Sequence, residues 1–180
     1  ENKKYPNDIF TKCKENDFYI TLFTGNDFIN ENYDELIDIT EFLHPDFSSD
    51  NFLLRHELPI ISLTNETLSN FNEAQIYFNR IFDRITLASK TFRSREVVFI
   101  EILKALMAVM SLKRNNTIVV WREAPHSPVC IILFFVCKFL EIPFYFPLKT
   151  QIDSKVVFVD DFREKSMKFI KFKKSTDRML

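Results

Sequence analysis

Three features of the 180-residue chain predict an α/β domain with a mostly parallel sheet and helices on both faces. The stretch 117–146 reads strand, helix, strand with short links, which is a βαβ crossover. A long apolar helix, 95–113, precedes it, and a further β-branched run, 155–159, follows it. Strands alternating with helices in this way build a sheet whose faces are both covered.

Each element has a local reason. Residues 1–56 are rich in Asn, Asp and Phe and only weakly periodic. Within them "FYITLF" (Phe18 to Phe23) is a strand candidate ended by Gly25-Asn26-Asp27. "ELIDITEFL" (Glu35 to Leu43) fits either a strand or a short helix and stops at His44-Pro45. "ELPIISL" (Glu57 to Leu63) reads as a strand. Leu68, Phe71, Gln75, Phe78, Phe82 and Ile85 then keep i, i+3, i+4 spacing, so a helix follows, capped by Thr64 or Ser69, with Asp83 and Arg84 near its end.

The helix Arg95 to Lys113 starts behind Ser94, a good N-cap, and has only a narrow polar stripe of Glu101, Lys104 and Ser111. A helix apolar over so much of its circumference must be covered on several sides. Asn115-Asn116 marks a turn, and Thr117 to Trp121 lacks strict alternation, as a strand buried on both faces does. Ser127 caps the next helix and Pro128 takes its first position, where a missing N–H costs nothing. Ile142 to Phe146 and Lys155 to Val159 complete the strands. The expected organisation is one domain over 1–161. The tail 162–180, with seven Lys/Arg against two acidic residues, is either a basic extension or the start of a second domain.

Composition excludes several classes. Hydrophobic content of 46% and charged content of 27% suit a packed core rather than a disordered chain. Gly25 is the single glycine, where average usage gives roughly twelve. No Gly-rich phosphate loop exists, so a nucleotide held in that way is not expected. A net charge of −1 and the lack of a basic–aromatic stripe argue against nucleic acid. Cys13, Cys130 and Cys137 show no C-x-x-C spacing, which suggests a reducing, cytoplasmic compartment. His44, His56 and His126 lack metal-ligand spacing, so no metal site is expected. The run Val129 to Cys137 is too short to span a bilayer and reads as a buried helix. The rival use of 129–148 together with the basic tail is peripheral membrane association.

Chemistry concentrates at two strand ends. In an open α/β sheet, ligands bind outside the carboxyl ends of the strands. Arg122, Glu123 and His126 follow one strand in "WREAPHSP", and Asp160, Asp161 and Arg163 follow another. If the strands are neighbours, the two clusters share a crevice. His126 stands before a helix start, whose positive end favours a neutral imidazole able to act as a base or hydrogen-bond partner. Glu123 can orient it or act as a base itself. A plainer reading stays open: an Arg-Glu pair where a strand meets water, and prolines that shape a loop.

The stretches "FDRITLASKTFRSREVVFIEILKAL" and "TIVVWREAPHSPVCIILFFVCKFLEIPFYF" resemble the amino-terminal domain of bacterial capsular-polysaccharide biosynthesis proteins, which are similar to two-Rossmann-domain glycosyltransferases. The shared pattern is "DR" before a long helix, a strand ending in E-x-P-H, and an apolar helix ending "CKFLEIP". The resemblance spans about Phe82 to Phe162. It implies a Rossmann-like, glycosyltransferase-like domain of capsule or surface-polysaccharide synthesis. Glu123 and His126 would then face the acceptor sugar in an interdomain cleft as catalytic candidates, with Arg122, Asp160 and Arg84 as substrate contacts. The nucleotide-sugar site of such enzymes lies mostly in a carboxyl-terminal domain, which this chain is too short to contain, so no cofactor is expected within it. The alternative is a non-catalytic α/β binding or assembly module whose helix 95–113 is covered by a partner domain or a second subunit.

Overall fold

The computed structural model of the chain describes residues 21–24, 34–44, 46–82, 95–115, 117–121, 124–149 and 156–163, together with positions 11, 15 and 19. The chain divides into two compact units, Glu1–Ser48 and Ser49–Leu180.

In the first unit, β1 (Thr21–Thr24) and β2 (Glu35–Asp38) pair in parallel, with Thr21 opposite Glu35. The Thr21 hydroxyl donates to the Glu35 carboxylate at 2.9 Å. Beyond β2 the Asp38 carboxylate accepts both the Thr40 N–H (2.8 Å) and the Thr40 hydroxyl (2.7 Å). That side chain turns the backbone out of the strand and into a 3-10 turn, Glu41–Leu43. Both readings of 35–43 are therefore realised, one after the other. The predicted strand 18–23 lies at Thr21–Thr24, and Gly25 falls outside the described residues.

The second unit is mixed α/β. It holds α1 (Ser49–Arg55), α2 (Asn65–Ser69), α3 (Asn72–Phe82), α4 (Arg95–Leu112) and α5 (Pro128–Phe139). Its small sheet has the order β3-β4-β5, from Val119–Val120, Phe144–Lys149 and Val156–Val159. At its centre is α5, in which every residue from Pro128 to Cys137 is buried. The helix packs against α4, α3 and β4. α4 buries nine side chains, from Phe99 to Met110, against α1, α3 and α5. Its polar stripe also has work inside the unit: Glu101 accepts the Ser49 N–H at 2.6 Å and so satisfies a first-turn donor of α1. The broad apolar face of α4 is thus covered by the chain's own helices.

Four expectations are corrected. The first is the segment 57–63, which forms no strand. α1 runs up to it and closes in a Schellman motif, with Leu58 N–H on Leu53 C=O (2.8 Å), Glu57 N–H on Leu54 C=O (3.2 Å) and Glu57 at φ 53°. Pro59 then removes another donor, and Ile60 is left 79% exposed. The second is the single helix from 64 to 85, which is broken at Asn70-Phe71. Ser69 Oγ (2.7 Å) and Asn70 Nδ2 (3.0 Å) both donate to the Glu66 carbonyl and stop α2 there. Thr64, not Ser69, is the cap, accepting the Thr67 N–H at 3.1 Å.

The third correction concerns the sheet. β3 and β4 are parallel, joined through α5 as the βαβ reading requires, but β5 is antiparallel to β4. The six residues 150–155 between them suffice for a hairpin, whereas a parallel crossover needs about a dozen or more. The fourth is burial of β3 on both faces. Val119, Phe144, Phe146 and Val159 are buried, while Val120 is 62% exposed and Ile118 60%. The sheet buries the face that meets α5, where the Phe134 and Phe144 rings lie 5.4 Å apart edge to face.

α5 ends in a second Schellman motif: Ile142 N–H bonds Cys137 C=O (2.8 Å), Glu141 N–H bonds Lys138 C=O (3.3 Å), and Glu141 has φ 60°. Glycine is the usual residue at this position because an L-residue with positive φ crowds its Cβ. Glu57→Gly and Glu141→Gly should each stabilise the fold by about 0.5–1 kcal/mol. The exposed Arg114–Glu141 pair (3.6 Å) that the second change removes offsets little of this. Urea unfolding of the two variants checks the sign.

Candidate functional site

The turn between β3 and α5 occupies the carboxyl end of a parallel strand and the amino end of a helix. The Ser127 hydroxyl accepts the Cys130 N–H at 3.2 Å, and Pro128 stands in the first turn, so the helix start is fixed by its own sequence. His126 precedes this cap and is exposed. Its Nδ1 lies 3.1 Å from the Ala124 carbonyl. A carbonyl only accepts, so Nδ1 carries the proton of that bond, and Nε2 is the acceptor nitrogen of the neutral ring. Pro125 beside it is buried and anchors the turn. Arg122, Glu123 and Arg84 lie outside the described residues.

The second cluster does not join the first. Because β5 runs against β4, with Val159 opposite Phe146, the chain leaves β5 toward the amino end of β4. Asp161 there meets Lys138, in the last turn of α5, at 3.1 Å. His126 precedes the first turn of the same helix, whose twelve residues rise about 18 Å. The shared crevice expected for the two clusters is therefore not formed. Asp160 is exposed at the far end of the sheet from His126.

What stands at that far end is a closed polar clasp. The Arg163 guanidinium donates to Asp161 through Nε (2.8 Å to Oδ1) and through Nη2, and its third contact is from Nη1 to Glu73 of α3 at 2.7 Å. The Arg163 N–H also donates to Asp161 Oδ1 at 2.9 Å. With Lys138 on Oδ2, each Asp161 oxygen accepts two bonds. Arg163 lies over the Phe134 and Phe135 rings of α5, 5.6 and 5.3 Å from their centroids. Phe162 sits between Tyr77 and Phe134, with centroids at 5.4 and 4.9 Å.

Burial works against the charged form of Asp161. The hydrogen bonds from Arg163, side chain and backbone, and from Lys138 outweigh it and hold the carboxyl well below the usual carboxylate range. The bonds to Asp161 and Glu73 in turn raise the Arg163 pKa, despite burial. A cluster whose oxygens are already saturated fastens elements together rather than offering a ligand a place. Sequence reading set Asp161 and Arg163 side by side but not Glu73 and Lys138, which meet them only through the packing of α3 and α5.

Other chemistry is absent among the described residues. No group of three or more His, Cys, Asp or Glu side chains is placed to hold a metal ion, and no helix is long and apolar enough to cross a membrane. Cys130 and Cys137 are buried and form no disulfide, and burial pushes the Cys137 thiol up to about 12. The run from Val129 to Cys137, on which a membrane-surface role would draw, is helix core. The chain matches no family model, no curated protein and no solved structure.

Asp161 ionises more readily in the folded chain than in the unfolded one. Its contribution to stability is therefore present above the unfolded value, about 3.9, and is lost as pH falls toward the depressed folded value. Asp161→Asn should cost about 1–3 kcal/mol at pH 7, and the gap to the unaltered chain should narrow below about pH 4. Chemical denaturation across pH measures both.

Proposed function

We propose that this chain is the acceptor-side half of a Rossmann-like, glycosyltransferase-like protein acting in capsule or surface-polysaccharide synthesis. The observation that supports it is the placement of His126, exposed at the turn where the carboxyl end of β3 meets the amino end of α5 within a parallel βαβ unit. This is where open α/β sheets take their ligands. A helix start with outward N–H groups suits a hydroxyl-rich or anionic group. In this reading Nε2 of His126 takes a proton from, or hydrogen-bonds, an acceptor hydroxyl, Glu123 supports it as orienting group or base, and Arg122 and Arg84 contact substrate. Asp160, at the opposite sheet end, falls outside this site. The donor, a nucleotide sugar, belongs to a second domain. Replacing Glu123 and His126 by Ala in the full-length protein in its own cell should reduce surface glycan by at least about 100-fold. Unchanged glycan would refute the reading.

A second reading, a binding or assembly module of the α/β class, is favoured by one observation. Ile118 and Val120 put apolar side chains on the outer face of an edge strand that has no second neighbour among the described residues. The rationale drawn from α4 no longer applies, since α1, α3 and α5 cover that helix. If assembly is the function, light scattering should show a mass above 21.5 kDa that falls toward it on Val120→Lys. A monomer before and after the change excludes self-assembly.

A further inference from the structure

We infer that residues 58–64 are a docking strand whose occupant is the same segment of a second copy of this chain, paired antiparallel about a two-fold axis. The segment runs without turn or bend between α1 and α2. Its φ angles are all negative, and Pro59 keeps itself and Leu58 in the extended region. The Schellman motif of α1 fixes its start, and the Thr64 cap, at φ −79° and ψ 162°, fixes its end. An extended segment held at both ends has little left to order when a strand is added to it.

The alternation of an extended chain decides which edge pairs. Leu58 N–H turns back to Leu53 C=O of α1. The backbone groups of Ile60 and Ser62 share that edge, and those of Pro59, Ile61 and Leu63 lie on the other. Among the described residues, none bonds the backbone of Ile61 or Leu63. Set against itself at Ile61, this edge gives two bonds between the Ile61 residues of the copies. Leu63 N–H on the Pro59 carbonyl of the second copy, made twice, adds two more, and Pro59 serves only as an acceptor. From 58 to 65 the sequence carries no charge, so no like charges meet at the axis. Exposed Arg55 comes to the end where the second copy has exposed Glu66, and Glu57 falls opposite Asn65. The remaining edge faces α1, so the pairing closes at two chains. A contact this short buries less than the standard interface of about 1,600 Å², so the dimer is weak.

Sedimentation equilibrium of the whole chain from about 10 μM to about 1 mM tests this. The average mass should rise from 21.5 kDa toward twice that value. Ile60 is 79% exposed, so Ile60→Lys leaves the fold intact. It sets two cations diagonally across the axis and should weaken the dimer at least about tenfold. Amide exchange at the two ends of the concentration range should show Ile61 and Leu63 protected by association and Ile60 and Ser62 unchanged. A mass of 21.5 kDa throughout overturns the proposal. So does a dimer that Ile60→Lys leaves unaffected; if Val120→Lys breaks that dimer, the β3 edge is its contact. Protection of Ile60 and Ser62 in place of Ile61 and Leu63 overturns the pairing edge.

Discussion

A helix apolar on every side cannot lie at a surface, and the second unit is arranged around that constraint. α5 has no solvent-facing residue from Pro128 to Cys137. Something must therefore cover it all round: α4 along one flank, α3 along another, and β4 beneath. At about 1.5–3 kcal/mol for each large apolar side chain removed from water, this one helix supplies a large part of the favourable term in folding. α4 acts as a second core helix for the same reason, closed off in turn by α1.

Around that core the polar groups separate into two ends of different character. At the amino end of α5, a capped helix start, a buried proline and an exposed imidazole form an open turn. At the carboxyl end, an aspartate, two cations and a glutamate satisfy one another. The antiparallel course of β5 produces this separation. A parallel β5 would have delivered Asp160 and Asp161 to the same sheet end as His126.

The sequence made legible what depends on local chemistry. The Ser127-Pro128 start of α5, the turn before β3, the extent of α4 and the βαβ order all follow from caps, breakers and apolar spacing, and the structure has them. What depends on competition between neighbours was harder to see. Residues 57–63 have strand composition, but α1 ends against them and its Schellman motif takes their first backbone groups. α1 carries no local cap signal of this kind, since the partner of its first turn, Glu101, lies 52 residues away. The sense of β5 was readable from link length: the eight residues 147–154 between the two predicted strands are fewer than the dozen or so a parallel return needs. Of the candidate site, the sequence located the turn and His126, while the clasp, built from three distant segments, becomes visible only once α3 and α5 are packed.

The scarcity of glycine has a thermodynamic side. Each glycine in a chain adds backbone freedom that folding must remove, roughly 0.5–1 kcal/mol more than alanine. One glycine instead of roughly twelve leaves an unfolded ensemble with fewer conformations, narrowing the entropy gap by several kcal/mol as an order of magnitude. Against this, the left-handed backbone at Glu57 and Glu141 costs about 1–2 kcal/mol each. Because the entropic term grows with temperature, a stiffer unfolded chain helps most near the melting point, and there the two strained helix ends are the small cost of a fold built almost without glycine.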